Sequence, residues 1–470
     1  MKKSTILFLF LNLYSLVWRL ALPILRKNAR LREGIKERTS SDHFDRADIW
    51  IQGASAGECN LAVQIAKRLS NASAVKNRAF ASTISPTSDH SKPILLTSTT
   101  SQGVGLLSQN LSAITSIKIT WFPFDIPGLM ERVVCKVKPS LIVLLETELW
   151  PSLIFAAKKH GVKVIVINGR MSKKSHKNYL KTRWLWSELQ PDTVLATTQI
   201  DAQRFKDIFP CSTVDVMPNM KFDSILSDSL RSNIPPTSTS RLTSTPFSKI
   251  FTTSSKTLIL PTDIPFSIFA SVRKEEEEEV IAILDQILEK FPNQLVGLFP
   301  RHMHRVQFWK KALTDKNHKW ILRSEIKSWY TDKTENCTNP MDNLTETLSP
   351  ATVILWDIFG DLKNAYAIAT VAFVGGSLKP LGGHNFIEPL ISGVATVTGP
   401  FTDDFAWVGE EIFISNIVKK ANNRDQVTDF IVSSLNNPPD RGDIITKCLN
   451  YIENKNGGTQ IAFNIITNYL

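Results

Sequence analysis

Short apolar runs rich in β-branched residues alternate with amphipathic stretches along most of the chain after residue 48. Runs of this kind predict buried strands, and apolar residues spaced by three or four positions predict helices. After Glu58, for example, Leu61, Ile65 and Leu69 fall on one face of a predicted helix. Strands that alternate with helices are typical of parallel sheets built from βαβ units, so the predicted fold class is α/β.

The predicted strands fall into two groups along the chain. Those of the first half cover residues 49–52, 94–97, 117–121, 141–145, 162–167, 193–196 and 213–217. Those of the second half cover residues 266–270, 295–299, 352–355, 371–374 and 395–397, with predicted helices at 275–291, 362–369 and 385–392. Two Rossmann-like domains that face a central cleft are the simplest architecture for this pattern.

A stretch rich in Ser, Thr and Pro interrupts the alternation between residues 227 and 265. A chain of 470 residues exceeds the length at which one core usually stops growing, so two domains are expected. The predicted division is a membrane-anchor segment at 1–38, a first Rossmann-like domain at 39–226, a linker or insertion at 227–265 and a second Rossmann-like domain at 266–470. The polar stretches 70–92 and 325–348 predict surface loops.

The N-terminal segment is apolar over the length of one bilayer. Residues 6–18 are nearly all apolar, Arg19 interrupts them, and residues 20–25 continue the run, which gives roughly 20 residues. Two lysines precede this run, and basic residues follow it at positions 26, 27, 30, 32, 36 and 38. The asymmetry predicts an N-terminal anchor in the inner (plasma) membrane with the body of the protein on the cytoplasmic side.

Two questions about this segment stay open in the sequence. A secretory signal peptide is an alternative to an anchor, although no Ala-x-Ala-like cleavage site precedes the basic cluster. Arg19 leaves open whether the segment spans the bilayer or lies in its interface, because an intramembrane arginine is costly unless it reaches the headgroups.

The composition limits the classes of molecule that the protein is expected to bind. The net charge of +11 favours polyanions, that is, nucleic acid, an anionic membrane or phosphorylated substrates. No basic run interleaved with aromatic residues occurs, which makes nucleic acid the weakest of the three. The five cysteines are scattered and include no Cys-x-x-Cys pair, which disfavours disulfides and structural zinc and indicates a reducing compartment.

The sequence GASAGE at residues 53–58 follows the first strand and opens a helix. Small residues and a helix N-terminus suit a ligand that carries negative charge. Gly53, Ser55 and Gly57 match the nucleophile elbow of a serine hydrolase, although the elbow would follow the first strand and nothing marks a downstream relay to His384. Alternatively, Glu58 is a general base, or it only complements the helix dipole.

Charged residues follow two later strands of the first half. Glu146 and Glu148 come directly after strand 141–145, and Arg170 follows strand 162–167. The carboxyl ends of strands in open α/β sheets form ligand crevices. The two carboxylates either line such a crevice or cap the helix that begins near Pro151, and Arg170 either binds an anion or pairs with one of them.

The second half carries a basic residue and a glycine-rich turn. Arg301 closes strand 295–299 and suits bidentate phosphate or carboxylate recognition, although an exposed arginine with no role is equally compatible. Residues 375–377 (GGS) and 382–389 (GGHNFIEP) form a glycine-rich turn that leads into the predicted helix at 385–392. A glycine-rich turn at a helix N-terminus suits a phosphate or nucleotide. Neither a P-loop nor a dinucleotide-binding glycine motif follows the opening strand, which disfavours ATPases and dinucleotide enzymes.

Together these segments resemble the bacterial Kdo (3-deoxy-D-manno-octulosonic acid) transferase family, which modifies the lipid A precursor. The resemblance covers residues 49–400 and both predicted domains. Its motifs occur in family order and are specific mainly because they occur together. They are residues 53–58 (GASAGE), 121–125 (WFPFD), 146–151 (ETELWP), 170–172 (RMS), 221–223 (KFD), 300–302 (PRH) and 375–389.

The resemblance implies a GT-B glycosyltransferase with a membrane anchor. The implied reaction is the inverting transfer of Kdo from CMP-Kdo to the tetraacyldisaccharide 1,4'-bisphosphate precursor of lipid A (lipid IVA) in lipopolysaccharide biosynthesis. No metal and no cofactor are expected, the implied partners are CMP-Kdo, the acylated phosphorylated acceptor and the cytoplasmic face of the inner membrane, and no nucleic acid is expected. A serine hydrolase that uses Ser55 and an inactive membrane-tethered scaffold are the alternatives.

The resemblance also implies roles for individual residues. Glu58 stands at the position of the general base, and Glu148 and Glu146 stand at acidic positions of the cleft. Asn385 and Glu388 belong to the nucleotide-side motif. The other implied substrate-binding or nucleotide-binding residues are Ser55, Gly57, Arg170, Lys221, Ser271, Arg301, Gly376, Ser377 and Gly383.

Two departures from the family pattern stand out. Residues 271–277 read SVRKEEE where the family usually has Ser-Thr-His-x-Gly-Glu-Glu, so Arg273 occupies the position of a histidine. This arginine could hold an anion, but a histidine role there is lost. Phe386 replaces the usual proline after Asn385, while Asn385 and Glu388 keep their spacing.

Overall fold

The computed structural model describes residues 3–25, 27, 32–81, 92–231, 251–253, 256–258, 264–326 and 351–470. The chain divides into two compact units. Unit 1 comprises residues 1–227 together with 455–470, and unit 2 comprises residues 228–454. The predicted arrangement of the two domains around a central cleft stays a prediction.

Unit 1 is built on a seven-stranded parallel sheet with the strand order β3-β2-β1-β4-β5-β6-β7. Its central strands are apolar at nearly every position because helices cover both faces, as β4 illustrates with five fully buried residues. The strands are β1 (Ile49–Gln52), β2 (Ile94–Ser98), β3 (Ile117–Trp121), β4 (Leu141–Leu145), β5 (Lys163–Gly169), β6 (Thr193–Ala196) and β7 (Thr213–Val216). The sequence predicts all seven strands, with boundaries that differ by at most two residues.

Ten helices precede the second sheet in the described part of the chain. Thr100, Ser172 and Thr198 each begin a helix by accepting a backbone N–H bond with the side-chain hydroxyl. The helices are α1 (Lys3–Leu25), α2 (Ile35–Thr39), α3 (Ala56–Ala81), α4 (Ser101–Leu111), α5 (Pro127–Val137), α6 (Pro151–Lys159), α7 (Lys173–Lys181), α8 (Arg183–Trp186), α9 (Gln199–Ile208) and α10 (Met220–Arg231).

Unit 2 contains a second seven-stranded parallel sheet, with the order β12-β13-β11-β10-β14-β15-β16. The two outer strands were not predicted, because β12 is short and only partly buried and β16 has two residues, both lysines. A separate antiparallel pair precedes the sheet, formed by β8 (Phe251–Thr253) and β9 (Lys256–Leu258). The sheet strands are β10 (Phe266–Val272), β11 (Leu295–Pro300), β12 (Lys319–Leu322), β13 (Thr352–Leu355), β14 (Val371–Val374), β15 (Ala395–Thr398) and β16 (Lys419–Lys420).

The helices of unit 2 are shorter on average than those of unit 1. The helix predicted at 385–392 begins later, because the Asn385 carboxamide oxygen accepts the backbone N–H of Ile387 and so holds the turn before the helix. The helices are α11 (Glu277–Lys290), α12 (Val306–Asp315), α13 (Leu362–Tyr366), α14 (Ile387–Ile391), α15 (Glu411–Ile414), α16 (Arg424–Asn436) and α17 (Arg441–Glu453).

The C-terminal helix α18 (Gly458–Asn468) belongs to unit 1, whereas the sequence predicted a single domain over residues 266–470. Two contacts explain the difference. The Asp223 carboxylate accepts the backbone N–H groups of Gly457 and Thr459, and Ala462 and Ile466 are fully buried in the core of unit 1. Nothing in the local sequence pattern indicated which core this helix joins.

The predicted loops and linker lie largely outside the described residues. The prediction of a loop at 70–92 was wrong for residues 70–81, because α3 continues through them to Ala81. Of the loop predicted at 325–348, only residues 325 and 326 are described, and of the linker at 227–265 only α10 to Arg231, the β8–β9 pair and residues 264–265.

Helix α1 is long and apolar enough to cross a membrane by length and composition. Its segment 6–25 has a mean hydropathy of 1.7. Arg38 was predicted to belong to the basic residues that flank this segment, but it is buried. Its guanidinium carbon lies 4.2 Å from the centroid of the Phe124 ring. Arg38 therefore belongs to the packing of unit 1 and cannot contact headgroups.

Candidate active site

The predicted residues of unit 1 converge because their strands are neighbours in the sheet. β1 pairs with β4, and β4 pairs with β5. Glu58 lies in the first turn of the helix after β1, Glu146 and Glu148 follow β4, and Arg170 follows β5. The carboxyl ends of parallel strands meet at one edge of the sheet, so these side chains share one site.

Glu58 is held by the turn that precedes α3. The backbone N–H of Ala54 donates to its Oε2 at 2.6 Å, and the Ser55 hydroxyl donates to its Oε1 at 3.0 Å. Burial raises the pKa of Glu58, and the bonds from Ala54 and Ser55 partly oppose that effect. Ser55 thus contacts Glu58 directly and orients it.

The two glycines of this turn differ in how much they are needed. A Cβ on Gly53 would lie 3.1 Å from the Glu58 Cβ, which makes this approach too tight for a larger residue. A Cβ on Gly57 would have only the Ser55 hydroxyl within 4 Å, at 3.7 Å. A steric need therefore exists at Gly53, and the predicted substrate-binding role of Gly57 stays a prediction.

Glu148 is the second carboxylate of the site. Burial raises its pKa to about 7, and the neighbouring charge of Glu58 adds to the shift. The indole N–H of Trp150 donates to its Oε2 at 2.9 Å, and the nearby side chain of Gln52 also lowers its pKa. Glu58 and Glu148 therefore interact electrostatically, and the pKa values of both carboxyl groups are raised.

Gln52 was missed as a site residue. It is fully buried at the end of β1, where its carboxamide oxygen accepts the Thr97 hydroxyl proton, and Thr97 in turn accepts the indole N–H of Trp50 at 2.8 Å. The signal in the sequence was a polar side chain that ends an apolar strand. This chain of bonds fixes the amide that contacts Glu148.

Glu146 differs from Glu148 because cations compensate its charge. Lys221 Nζ lies 2.7 Å from its Oε1, and Arg170 Nη1 lies 3.9 Å from the same atom. Glu146 also has φ +55°, a left-handed backbone conformation that is uncommon outside glycine. The structure thus joins Lys221 and Arg170 to Glu146 within unit 1.

Replacing Lys221 by methionine should lower the free energy of unfolding by about 1–3 kcal/mol, the usual worth of a hydrogen bond to a charged group that is partly buried. The reason is that, of its cationic partners among the described residues, Glu146 would retain the more distant Arg170. Urea unfolding measures the change. A Lys221→Met, Glu146→Gln double variant should recover part of the loss, and additive losses would show that the pair is not coupled.

In unit 2 the glycine-rich turn is built around a carboxylate that the sequence analysis did not assign to the site. Glu276 is 0% exposed, and it accepts the backbone N–H groups of Arg273, Gly376, Ser377 and Leu378. Burial raises its pKa, and these four bonds oppose that effect. The N–H groups of residues 376–378, in the turn that was predicted to suit a phosphate, are therefore occupied by Glu276.

Three predicted binding residues shape this turn. The Ser377 hydroxyl is buried, donates to the Val374 carbonyl at 2.6 Å and accepts the Gly399 N–H at 2.8 Å, and its predicted binding role stays a prediction. Gly376 has φ +68°, and a Cβ there would lie 2.9 Å from the His384 ring. Gly383 has φ +77° and lies against the backbone of a neighbouring loop. The glycines are needed for backbone conformation and close packing.

Asn385 and Glu388 lie at the start of α14. The Asn385 amide donates to Glu388 Oε1 at 2.9 Å, while its carbonyl oxygen caps Ile387. Glu388 is exposed, although burial of its carboxyl group raises the pKa. The spacing that the sequence predicted for Asn385 and Glu388 therefore brings the two side chains into direct contact.

Ser271, another predicted binding residue, lies near the end of β10. It has φ +55° and lies at a register shift of the sheet.

A cluster of basic side chains lies beside the same turn. The pKa of His384 falls to about 4, first because of burial and then because of the charges of Arg301, Arg273 and His302. His384 Nε2 is buried and has no hydrogen-bond partner among the described residues. Two guanidinium groups and an unpaired ring nitrogen suit an anionic ligand, and of these residues only Arg301 was predicted as a site residue.

No group of three or more His, Cys, Asp or Glu side chains that could hold a metal ion occurs in the described part of the chain. The four cysteines that the structure describes, Cys59, Cys135, Cys211 and Cys448, are free thiols. The predicted independence from metals and cofactors stays a prediction that requires an assay.

Comparisons with known proteins relate the chain to glycosyltransferases. Residues 27–224 match the family model described as 3-Deoxy-D-manno-octulosonic-acid transferase (kdotransferase). The chain is 26% identical over 427 residues to a bifunctional glycosyltransferase/methyltransferase of Fusobacterium nucleatum, a match that covers 89% of this chain but only 58% of that longer protein. It is 26% identical over 356 residues to the 3-deoxy-D-manno-octulosonic acid transferase of Haemophilus influenzae, which covers 74% of each chain.

A solved structure has the same fold. A glycosyltransferase of Rickettsia africae superposes with a TM-score of 0.51 over 91% of this chain and 99% of that one, at 11% sequence identity. The likeness places both parallel-sheet units in the GT-B fold, as the sequence predicted. The matched family model and the related transferases show that the chain is similar to the 3-deoxy-D-manno-octulosonic acid (Kdo) transferases over most of its length.

Proposed function

We propose that the protein transfers Kdo, with inversion, from CMP-Kdo to the tetraacyldisaccharide 1,4'-bisphosphate precursor of lipid A at the cytoplasmic face of the inner membrane. The observation that carries the proposal is the Glu58–Glu148 pair in unit 1, in which Glu58 is oriented by Ala54 and Ser55 and its charge helps to raise the pKa of the half-buried Glu148. A pair of this kind suits removal of a proton from an acceptor hydroxyl. The similarity to Kdo transferases supports Kdo as the transferred sugar.

The bonds, electrons and protons of the proposed transfer balance without a cofactor. The acceptor hydroxyl oxygen forms a bond to the anomeric carbon of Kdo while the bond from that carbon to the CMP phosphate breaks, and CMP departs with the electron pair. Glu58 takes the hydroxyl proton. An inverting displacement needs only one such base and stabilisation of the departing phosphate.

Residues of unit 2 are suited to stabilise the departing phosphate. Arg273 and Arg301 carry permanent positive charges, and His384 is neutral at physiological pH because its pKa is about 4. Neutral His384 can donate or accept a hydrogen bond, while the guanidinium groups neutralise the phosphate of CMP or the carboxylate of Kdo. We expect donor binding to depend on these residues, with Asn385 and Glu388 contacting hydroxyl groups of the donor.

The serine hydrolase alternative has less support. Within the described residues the Ser55 hydroxyl donates to Glu58, and no histidine contacts it. A fluorophosphonate probe should therefore fail to label Ser55, and the protein should not hydrolyse activated esters. Labelling that disappears in Ser55→Ala would support the hydrolase and contradict the transferase.

The pH dependence of transfer tests the carboxylate pair. Glu58 must be ionised to act as a base, so kcat/KM should rise with pH as Glu58 loses its proton, with an acidic limb shifted above the ordinary pKa of a glutamate. Glu146→Gln removes the negative charge that raises the pKa of Glu58 and should move this limb to lower pH. An acidic limb that stays in place in Glu146→Gln would contradict the assignment of the limb to Glu58, and CMP release at a series of pH values measures it.

A further inference from the structure

We infer that helix α1 lies in the plane of the membrane interface, packed along unit 1, and does not cross the bilayer. Its outer face and the adjoining α7–α8 surface would then bind an anionic phospholipid layer. The inference deepens the proposed function, since that function places the acceptor in a membrane. Its evidence, however, is the packing of α1 and does not depend on the reaction.

The inner face of α1 is covered by unit 1 along most of the helix. Buried or half-buried side chains recur at positions 7, 10, 11, 14, 15, 18, 21, 22 and 25, the spacing of a helix face that packs on a neighbour. Leu11 is only 5% exposed. The Phe10 ring makes an edge contact with Trp184, with centroids 6.0 Å apart, and the Trp18 ring lies 5.3 Å from Phe124.

Polar contacts show that the groups beneath α1 are not suited to the hydrocarbon core. The Tyr14 hydroxyl donates to Asp125 Oδ2 at 3.3 Å. Arg38 stacks on Phe124, which also contacts α1 through Trp18. If α1 crossed the bilayer in this packing, Asp125, Arg38 and the surrounding part of unit 1 would enter the hydrocarbon, at a large cost in desolvation.

The outer face of α1 is apolar and exposed. Leu20 is 67% exposed and Ile24 is 71% exposed, values that water-soluble proteins seldom show for a contiguous row. A helix with one packed face and one apolar outer face fits insertion to the depth of the acyl boundary. The exposed apolar side chains of this face are Ile6, Phe8, Leu9, Leu13, Leu16, Val17, Leu20 and Ile24.

The neighbouring helices α7 and α8 add charge to the same surface. Trp184, which contacts Phe10, is 46% exposed, and Leu180 is also exposed. Exposed lysines occur on α7 at positions 173, 174, 177 and 181. Tryptophan and lysine beside an apolar face are typical of an interface with anionic lipids. A groove of about 400 Å³ lined by Ile6, Arg183 and Trp184 opens on this surface.

The same packing connects the lipid surface to the carboxylates. Both oxygens of Asp125, which Tyr14 contacts, accept backbone N–H groups at the start of α6, from Ser152 at 3.0 Å and Leu153 at 2.9 Å. That helix begins directly after Glu148 and Trp150. Asp125 thus links α1 to the helix that follows the carboxylate site.

The position of the N-terminus tests the inference. A Ser4→Cys variant is made in a background in which Cys135, Cys211 and Cys337 are replaced by serine, and sealed inside-out vesicles and intact spheroplasts are treated with a membrane-impermeant PEG-maleimide. Lys36→Cys, just after the anchor, serves as the matched control for the cytoplasmic side. An in-plane helix predicts that the Ser4→Cys thiol is labelled in inside-out vesicles without detergent and not in spheroplasts. Labelling of that thiol from the spheroplast side would overturn the inference.

Cross-linking in membranes provides the second measurement. Phe10→Cys with Trp184→Cys should be joined by a short bismaleimide, because these side chains are in contact. Leu13→Cys with Trp184→Cys should not be joined, because Leu13 faces outward. Failure of the first pair to cross-link in a membrane-bound protein would contradict the packing. Neither measurement uses transfer, so a wrong assignment of the reaction would leave both results unchanged.

Discussion

The Glu58→Gln variant is expected to lose Kdo transfer by about 10²–10⁴-fold in kcat, the range attributed to a positioned general base. Glutamine keeps the size of the side chain, its carbonyl oxygen can accept the Ala54 N–H, and its amide can donate to the Ser55 hydroxyl, so the fold should be preserved. What it cannot do is take the proton of the acceptor hydroxyl. Initial rates of CMP release with saturating acceptor give the change in kcat.

The matched control is Ser55→Ala. This change removes one of the bonds that orient Glu58 and should reduce the rate by no more than about tenfold, the value of about 1.4 kcal/mol for one hydrogen bond. Thermal unfolding of both variants separates misfolding from a lost base. An active Glu58→Gln, or an inactive but folded Ser55→Ala, would reverse the roles assigned to the two residues.

The Glu276→Ala variant should be the most destabilised of the single changes considered. It leaves four backbone N–H groups in the glycine-rich turn without their acceptor, and at least about 3 kcal/mol of the unfolding free energy of unit 2 should be lost. The turn also positions His384, so CMP binding should weaken as well. Urea unfolding and titration with CMP measure the two effects.

Glu275→Ala controls for charge, because this neighbour is about half exposed and its carboxylate lies 3.8 Å from the Arg273 guanidinium. It should change stability by less than about 1 kcal/mol. Equal losses in the two variants would show that the negative charge of this segment matters and not the bonds of Glu276. A Glu276→Ala protein of unchanged stability would contradict the described role of the turn.

The strands were predictable because both units bury their sheets on both faces. Continuous apolar runs such as Leu141–Leu145 can hardly be anything but strands when they are short and alternate with helical patterns. The edge strands β12 and β16 lack that signal, because a strand with one neighbour and partial exposure needs little apolar sequence. The return of α18 to unit 1 depends on tertiary contacts to Asp223, far away in sequence, which no local pattern reveals.

The sequence predicted which strand ends carry the residues of the candidate site. It did not predict which side chains these residues contact. The positions of Glu58, Glu146 and Glu148 followed from the topology of parallel sheets. That Lys221 neutralises Glu146 while Glu148 retains a raised pKa depends on side-chain packing. The glycine-rich turn was predicted to suit a phosphate or nucleotide, whereas Glu276 from a distant segment accepts the N–H groups of residues 376–378.

The most direct test of the proposed function is the wild-type reaction itself. Purified protein in detergent is incubated with CMP-Kdo, generated in place, and the tetraacyldisaccharide 1,4'-bisphosphate, in the presence of EDTA, and the lipid is analysed by mass spectrometry. We expect a lipid that carries Kdo, with CMP as the second product. A lipid that remains unmodified while the protein is folded and binds CMP would contradict the proposed acceptor and reaction.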